Sequence, residues 1–131
     1  MAIGTSTSCA VFSGYCPRPD GTDVRDDIHV VALSRAHLDA LDALVMRDAS
    51  FVVNLGTGHG YSVLDVARSF EKASDRTVSY EIIARRPRDV VSCFADPAVA
   101  KKVIGWRAQY GIERMCPDHW RWQSSYSNGL A

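Results

Sequence analysis

The chain has 131 residues, with fifteen Lys and Arg against fifteen Asp and Glu and no formal net charge. That length holds one domain, spanning 1–131, with one modest core, and the charge balance excludes an electrostatic draw toward nucleic acid or an anionic membrane. No apolar run approaches the roughly 18 residues of a membrane span, and "MAIGTSTSCAVF" lacks the basic start and long apolar centre of a signal peptide, so a soluble cytoplasmic chain is expected. Cys9, Cys16, Cys93 and Cys116 show no Cys-x-x-Cys spacing and no nearby His-x₃-His, which reads as reduced thiols and not as a zinc site.

Residues 1–24 are rich in Ser, Thr, Gly and Pro, and "CPRPDGT" is a run of turn formers, so this part is expected to be mostly loop. "DDIHVVAL", with Ile28, Val30 and Val31, suggests a short strand. Ser34 then caps a helix to about Met46, with Ala36, Ala40, Leu41 and Leu44 on one side. "FVVNL" reads as a second strand, apolar at its start and so covered on both faces. A second helix from Ser62 to about Ala73 buries Val63, Val66, Ala67 and Phe70, and "TVSYEIIA" is a third strand. Pro97 opens a short helix through Val103 that Gly105 stops. A last helix from about Gly111 puts Ile112, Met115, Cys116, His119 and Trp120 on one face. Pro117 falls inside it, at a cost of about 3 kcal/mol unless the helix ends there. Strand and helix alternate, so the class is α/β, a small mixed sheet with flanking helices.

The stretch "NLGTGHGYSV" follows an apolar run and precedes a helix, the layout of a dinucleotide-binding turn. Gly56 and Gly58 fit the first two glycines, but Tyr61 stands where the third must let helix and strand approach. The downstream acid is missing too, because Asp75 precedes the next strand instead of ending it. A structural reading fits better: Ser62 and Asp65 form a capping box with Asp in place of Glu, and the glycines serve a turn needing positive φ.

In "ARRPRD", Arg85, Arg86, Arg88 and Asp89 follow a strand, and Arg25 lies just before one. Guanidinium groups at a strand end suit phosphate, since their planar fork pairs with oxygens and keeps its charge. A solvated loop is the competing reading; if phosphate is bound, Arg25 and Arg86 share one site. His29 and His37 read more simply as satisfied core residues than as ligands, and Trp120 and Trp122 as packing more than as a base-stacking platform.

The strings "VFSGYCPRPDGTDVRDDIHV", "FVVNLGTGHGYSVLDVARSFEKAS", "ARRPRDVVSCFADPAVAKKVIGW" and "RMCPDHWRWQ" resemble, in order and spacing, the C-terminal part of the UDP-glucose 4-epimerases. The resemblance runs from about Ala2 to Gly129. It implies an extended short-chain dehydrogenase in which a first lobe holds NAD and a smaller lobe holds the sugar nucleotide. There the sugar is oxidised at C4, the keto intermediate turns over, and the hydride returns to the opposite face. A Tyr-x-x-x-Lys pair handles the proton in such enzymes. None of the five tyrosines here has Lys four residues on: Tyr15, Tyr61, Tyr80, Tyr110 and Tyr126 meet Pro19, Asp65, Ala84, Arg114 and Leu130.

The expectation is therefore a UDP-sugar-binding lobe without catalytic residues and without NAD, inactive by itself. On the resemblance, Phe12 meets the uracil through its main chain, Arg25 and Arg86 clamp the diphosphate, and Asp89 bonds the ribose hydroxyls. Cys93 lines the sugar pocket, where a small residue leaves room for an N-acetyl group. Against the family pattern, Asp27 replaces tyrosine, Ala32 replaces aspartate, and Ser13 and Arg88 replace glycine. Asp27 beside Asp26 brings like charges near the phosphate and weakens anion binding, while Arg88 loses glycine's freedom at a turn. With the cofactor lobe absent, "VVNL" and the first helix are expected to expose apolar surface. Self-association, or docking of a separate nucleotide-binding half, would cover it.

Overall fold

The computed structural model describes residues 8–13, 20–84 and 86–126. Tyr15, Cys16, the "CPRP" turn formers, Arg85 and Gly129 lie outside the described residues. In chain order the elements are β1 (Cys9–Ser13), β2 (Val24–Arg25), α1 (Val30–Arg47), β3 (Tyr61–Ser62), α2 (Val63–Ser74), β4 (Tyr80–Ala84), β5 (Ser92–Cys93), α3 (Ala98–Ile104) and α4 (Ile112–Ser125). The α/β class holds, with the strands divided between two small sheets. β1 and β4 pair in parallel, Cys9 opposite Tyr80 through Ser13 opposite Ala84. The mixed sheet runs β3-β2-β5, antiparallel on one side of β2 and parallel on the other. A bridge between Ser13 and Thr22 joins the two sheets.

Several expectations about the first half are corrected. β1 lies where loop was expected: Val11 is buried on its inner side, a signal masked by the Ser and Gly around it. The "DDIHVVAL" run is a helix start, not a strand. The His29 side chain accepts from the Val31 N–H and caps α1, while Ala32 and Ala36 give the helix a flat buried edge. Ser34 is no cap; its hydroxyl donates to the Val30 carbonyl within the helix. "FVVNL" forms no ladder. Val53 and Leu55 pack inward while Val52 is 91% exposed, so the run has a strand's alternation without a partner strand.

The second half follows expectation more closely, because its signals are local. α2 starts with the anticipated capping box: the Asp65 N–H donates to Ser62 Oγ (3.0 Å) and the Ser62 N–H to Asp65 Oδ2 (3.1 Å). Asp75, in the left-handed region at φ 53°, ends that helix. α3 follows Pro97 and stops at Gly105, and α4 follows Gly111. α4 continues through Pro117, so the Glu113 carbonyl receives no N–H from position 117. On its inner face Ile112 and Cys116 are buried and Met115 and Trp120 half-buried, but His119 is exposed.

The main apolar cluster joins Ala32 and Ala36 of α1, Ala100 of α3 and Trp106, whose indole N–H donates to the Ala32 carbonyl at 2.9 Å. The alanines let α1 approach closely, and Trp106 fills the space between the helices. This anchors only the first part of α1. Farther along, Leu38, Leu41, Leu44, Val45 and Met46 are exposed, so Leu41 and Leu44 do not share the buried side as expected. No helix among the described residues is long and apolar enough to cross a membrane.

Candidate functional site

The nominated residues gather into two pairs and a turn. Phe12 of β1 stands opposite Ile83 of β4, and the chain leaving β4 lays Arg86 over the Phe12 ring, its guanidinium carbon 3.6 Å from the ring centroid. A guanidinium resting on a ring by its face keeps its N–H groups for oxygens in its own plane. The Asp89 N–H donates to the Arg86 carbonyl at 3.3 Å, closing the turn. Within it Arg88 sits at φ 72°, the left-handed conformation that glycine adopts without strain.

Arg25 is the middle-strand partner of Cys93 on β5 and Tyr61 on β3. Its Nη1 donates to the Val24 carbonyl at 2.7 Å, its Nη2 lies 3.3 Å from Asp23 Oδ2, and the side chain is 40% exposed. Cys93 is exposed beside it. Arg25 therefore lies on one sheet and Arg86 just past the end of a strand of the other. The two sheets are linked through the Ser13–Thr22 bridge, while a 2.9 Å hydrogen bond from the Val24 N–H to the Val91 carbonyl ties β2 to the start of β5 within the second sheet.

The glycine loop resolves in favour of a turn, and shows something the sequence reading did not anticipate. Its N–H groups point at a carboxylate of the protein itself: Asp26 Oδ1 accepts from the Thr57 N–H (2.9 Å) and hydroxyl (2.6 Å), and Oδ2 from the Gly58 N–H (3.0 Å). The Ala95 N–H adds a bond to Oδ2 at 3.1 Å. Gly58 takes φ 71°, and a Cβ on Gly56 would lie 2.5 Å from both Asp26 Oδ2 and the Ala95 Cβ. Successive N–H groups converging on an anion form the kind of nest that elsewhere takes phosphate. Here the nest is filled by Asp26, so the loop does not fit the pyrophosphate of NAD. In the sequence Asp26 stood out only as a like charge beside Asp27. A carboxylate just past a strand and a glycine run lacking its third glycine were the available signals.

Asp27 has a different setting. Burial, with the neighbouring Asp26 charge adding to it, raises its carboxyl above the usual carboxylate range. It lines a cleft of about 1000 Å³ between the start of α1, α2 and α4, walled by Val66, Phe70, Met115 and Trp122. Phe12, Arg25, Arg86, Asp89 and Cys93 all lie outside that cleft. His29, on its rim, is a satisfied buried residue: Nδ1 accepts from Val31 and Nε2 faces Asp118 Oδ2 at 3.2 Å, which puts the ring proton on Nε2. His37 is exposed, with Nδ1 2.8 Å from the Leu33 carbonyl. Trp120 packs edge-on to Phe70 beneath the Arg76 guanidinium, while Trp122 lies against Tyr126.

No protein-family model matches the chain. The UDP-glucose 4-epimerase of Bacillus subtilis is 49% identical to it over 129 residues, which is 98% of this chain and 38% of that protein. Among solved structures, the UDP-glucose 4-epimerase from Bifidobacterium longum in complex with NAD+ and UDP superposes with a TM-score of 0.88 at 41% identity, covering 98% of this chain and 38% of that one. The enzyme from Stenotrophomonas maltophila, with bound NAD and formylated UDP-arabinopyranose, gives 0.92 at 39% identity, covering 97% and 38%. The chain thus spans about 38% of the length of the relatives it matches. In sequence and in fold, this protein is homologous to the C-terminal portion of the UDP-glucose 4-epimerases.

Proposed function

We propose that this chain is the UDP-sugar-holding portion of a UDP-glucose 4-epimerase, the NAD-dependent enzyme that interconverts UDP-glucose and UDP-galactose in galactose metabolism. The observation that carries the reading is the Arg86–Phe12 stack where the two longest strands end side by side. It holds the Arg86 guanidinium at Phe12, so a uracil meeting the Phe12 main chain would bring its phosphates toward a fixed cation. Arg25 supplies the second cation, Asp89 takes the ribose hydroxyls, and Cys93 leaves the sugar pocket wide enough for an N-acetyl group.

On this reading the chain alone turns over no sugar and binds no NAD. No Tyr-x-x-x-Lys occurs in its 131 residues, and the Thr57 and Gly58 N–H groups that a pyrophosphate would use are bonded to Asp26. It acts in the cytoplasm, either as a binding module or together with a nucleotide-binding half, on the same or another polypeptide. The exposed Leu38, Leu41, Val45 and Met46 favour the second form, since a nucleotide-binding half or another copy docking there would remove apolar side chains from water. Isothermal titration with UDP tests the first claim: heat of binding is expected in the millimolar range or tighter, and Arg86→Ala should weaken it by about tenfold or more. No heat from the unaltered chain, or equal affinity in the variant, would remove the reading. Co-expression with a nucleotide-binding half should restore turnover if the second form is correct.

A further inference from the structure

We infer that Asp26 is the positioning residue of the UDP-sugar wall: its carboxylate fills the glycine-loop nest and thereby fixes Arg25 and the segment after Cys93 relative to one another. This rests on the reading that Arg25 and Cys93 face a UDP-sugar. Three separate segments meet on this one carboxylate. Asp26 follows Arg25 directly at the end of β2, Thr57 and Gly58 belong to the glycine loop, and Ala95 lies two residues beyond Cys93. β2 and β5 are only two residues long, so their own ladder gives little hold on the register between Arg25 and Cys93. The Asp26–Ala95 bond extends that pairing beyond the last ladder residue.

The same bonds bear on how Arg25 meets an anion. Charge-assisted hydrogen bonds from three N–H groups and a hydroxyl hold the Asp26 charge, which turns it toward the loop and away from the adjacent guanidinium. Arg25 bonds to Asp23 and the Val24 carbonyl instead. Gly56 fits this account independently, because any side chain there would strike the Asp26 carboxylate and Ala95 together. An ordinary loop would have no reason to keep space open on the far side of a carboxylate.

Chemical rescue distinguishes a filled nest from general structural support. Asp26→Gly deletes a CH₂–COO⁻ group, and acetate has the size and charge to replace it. The variant is expected to bind UDP about tenfold or more weakly by titration, from the loss of charge-assisted bonds. Acetate at tens of millimolar should recover several-fold of that loss, and chloride at equal ionic strength should not. Amide hydrogen exchange is the second readout: Thr57, Gly58 and Ala95 should lose protection together, with the α2 amides unchanged. Should Asp26→Gly fail to fold, Asp26→Asn, which turns an NH₂ toward the same donors, serves for the affinity and exchange measurements. UDP affinity equal to the unaltered chain in either variant overturns the inference, as does a loss that acetate and chloride affect alike. An unaltered chain that binds no UDP sinks the functional reading and the positioning role with it. The exchange pattern then still tells whether the carboxylate holds the three segments.

Discussion

Around Asp26 three segments are tied to one carboxylate, whereas α1 beyond Ala36 carries Leu38, Leu41, Val45 and Met46 into solvent. The first region sets many directed bonds around a fully buried Val24. Thr22, Asp23, Val24 and Ser62 are buried beside one another in sequence or register, and Asp20 accepts from Thr22 and from the Ser62 hydroxyl. The second region has ample apolar surface and nothing of its own to set against it. The two regions thus rely on different forces. Hydrogen bonds to carboxylates place the residues that would face a ligand, and the alanine–Trp106 cluster anchors α1 at one end, leaving the other available to a larger body.

If that division is right, the largest effect comes from the anchor. Trp106→Ala removes the side chain that fills the space between α1 and α3, together with its bond to the Ala32 carbonyl. It should cost about 3–5 kcal/mol in urea unfolding; a loss below about 1 kcal/mol would mean that α1 is held elsewhere. Next is the ligand-side turn. Arg88→Gly releases a residue held at φ 72° and should stabilise by about 1 kcal/mol, read as a higher Tm, without weakening UDP binding.

A smaller and pH-dependent effect belongs to Asp27, at the boundary of the two regions. Its carboxyl is raised by burial and by Asp26, so it favours folding while protonated, and that contribution is lost as pH climbs through the raised folded value. At neutral pH the ionised group opposes folding. Asp27→Asn should therefore gain at most about 1 kcal/mol near pH 7, after screening by solvent, and nothing below the usual carboxylate range. An equal gain at both pH values would mean that charge is not the cause. The smallest effect on stability comes from the open face. Val45, at 85% exposure, changed to Lys together with Leu41→Glu should leave unfolding within about 0.5 kcal/mol. The same pair should lower self-association in sedimentation velocity, and an unchanged oligomer distribution would show that this face is not the one that associates.

What could be read from the sequence divides along the same line. The Ser62–Asp65 box, the Gly105 stop and the start of α4 at Gly111 were legible because each is decided within about one helical turn. Of the strands, β4 was legible in "TVSYEIIA", whereas β2, β3 and β5 were not, since they exist only through partners far along the chain and two residues carry no period. "FVVNL" shows the converse, with alternation present and no partner to pair with. His29 misled because Ile28, Val30 and Val31 look like strand residues until the ring is seen capping a helix. Arg86 stood out as a guanidinium after a strand, while Phe12 and Asp89 were nominated through resemblance to a family, and the structure brings Phe12 and Arg86 into contact. The role of Asp26 depends on a fold that joins residues 26, 57 and 95, which no local pattern records.

On the proposed function, the strand side, and not the cleft between α1 and α4, would grip a uridine diphosphate. Chemical-shift mapping of the isotopically labelled chain with UDP tests it most directly. Shifts are expected in the amides of Phe12, Arg25, Arg86 and Asp89, with Trp106 and the outer half of α1 silent. Shifts confined to Val66, Phe70, Met115 and Trp122 around the cleft, or none at saturating UDP, would contradict it.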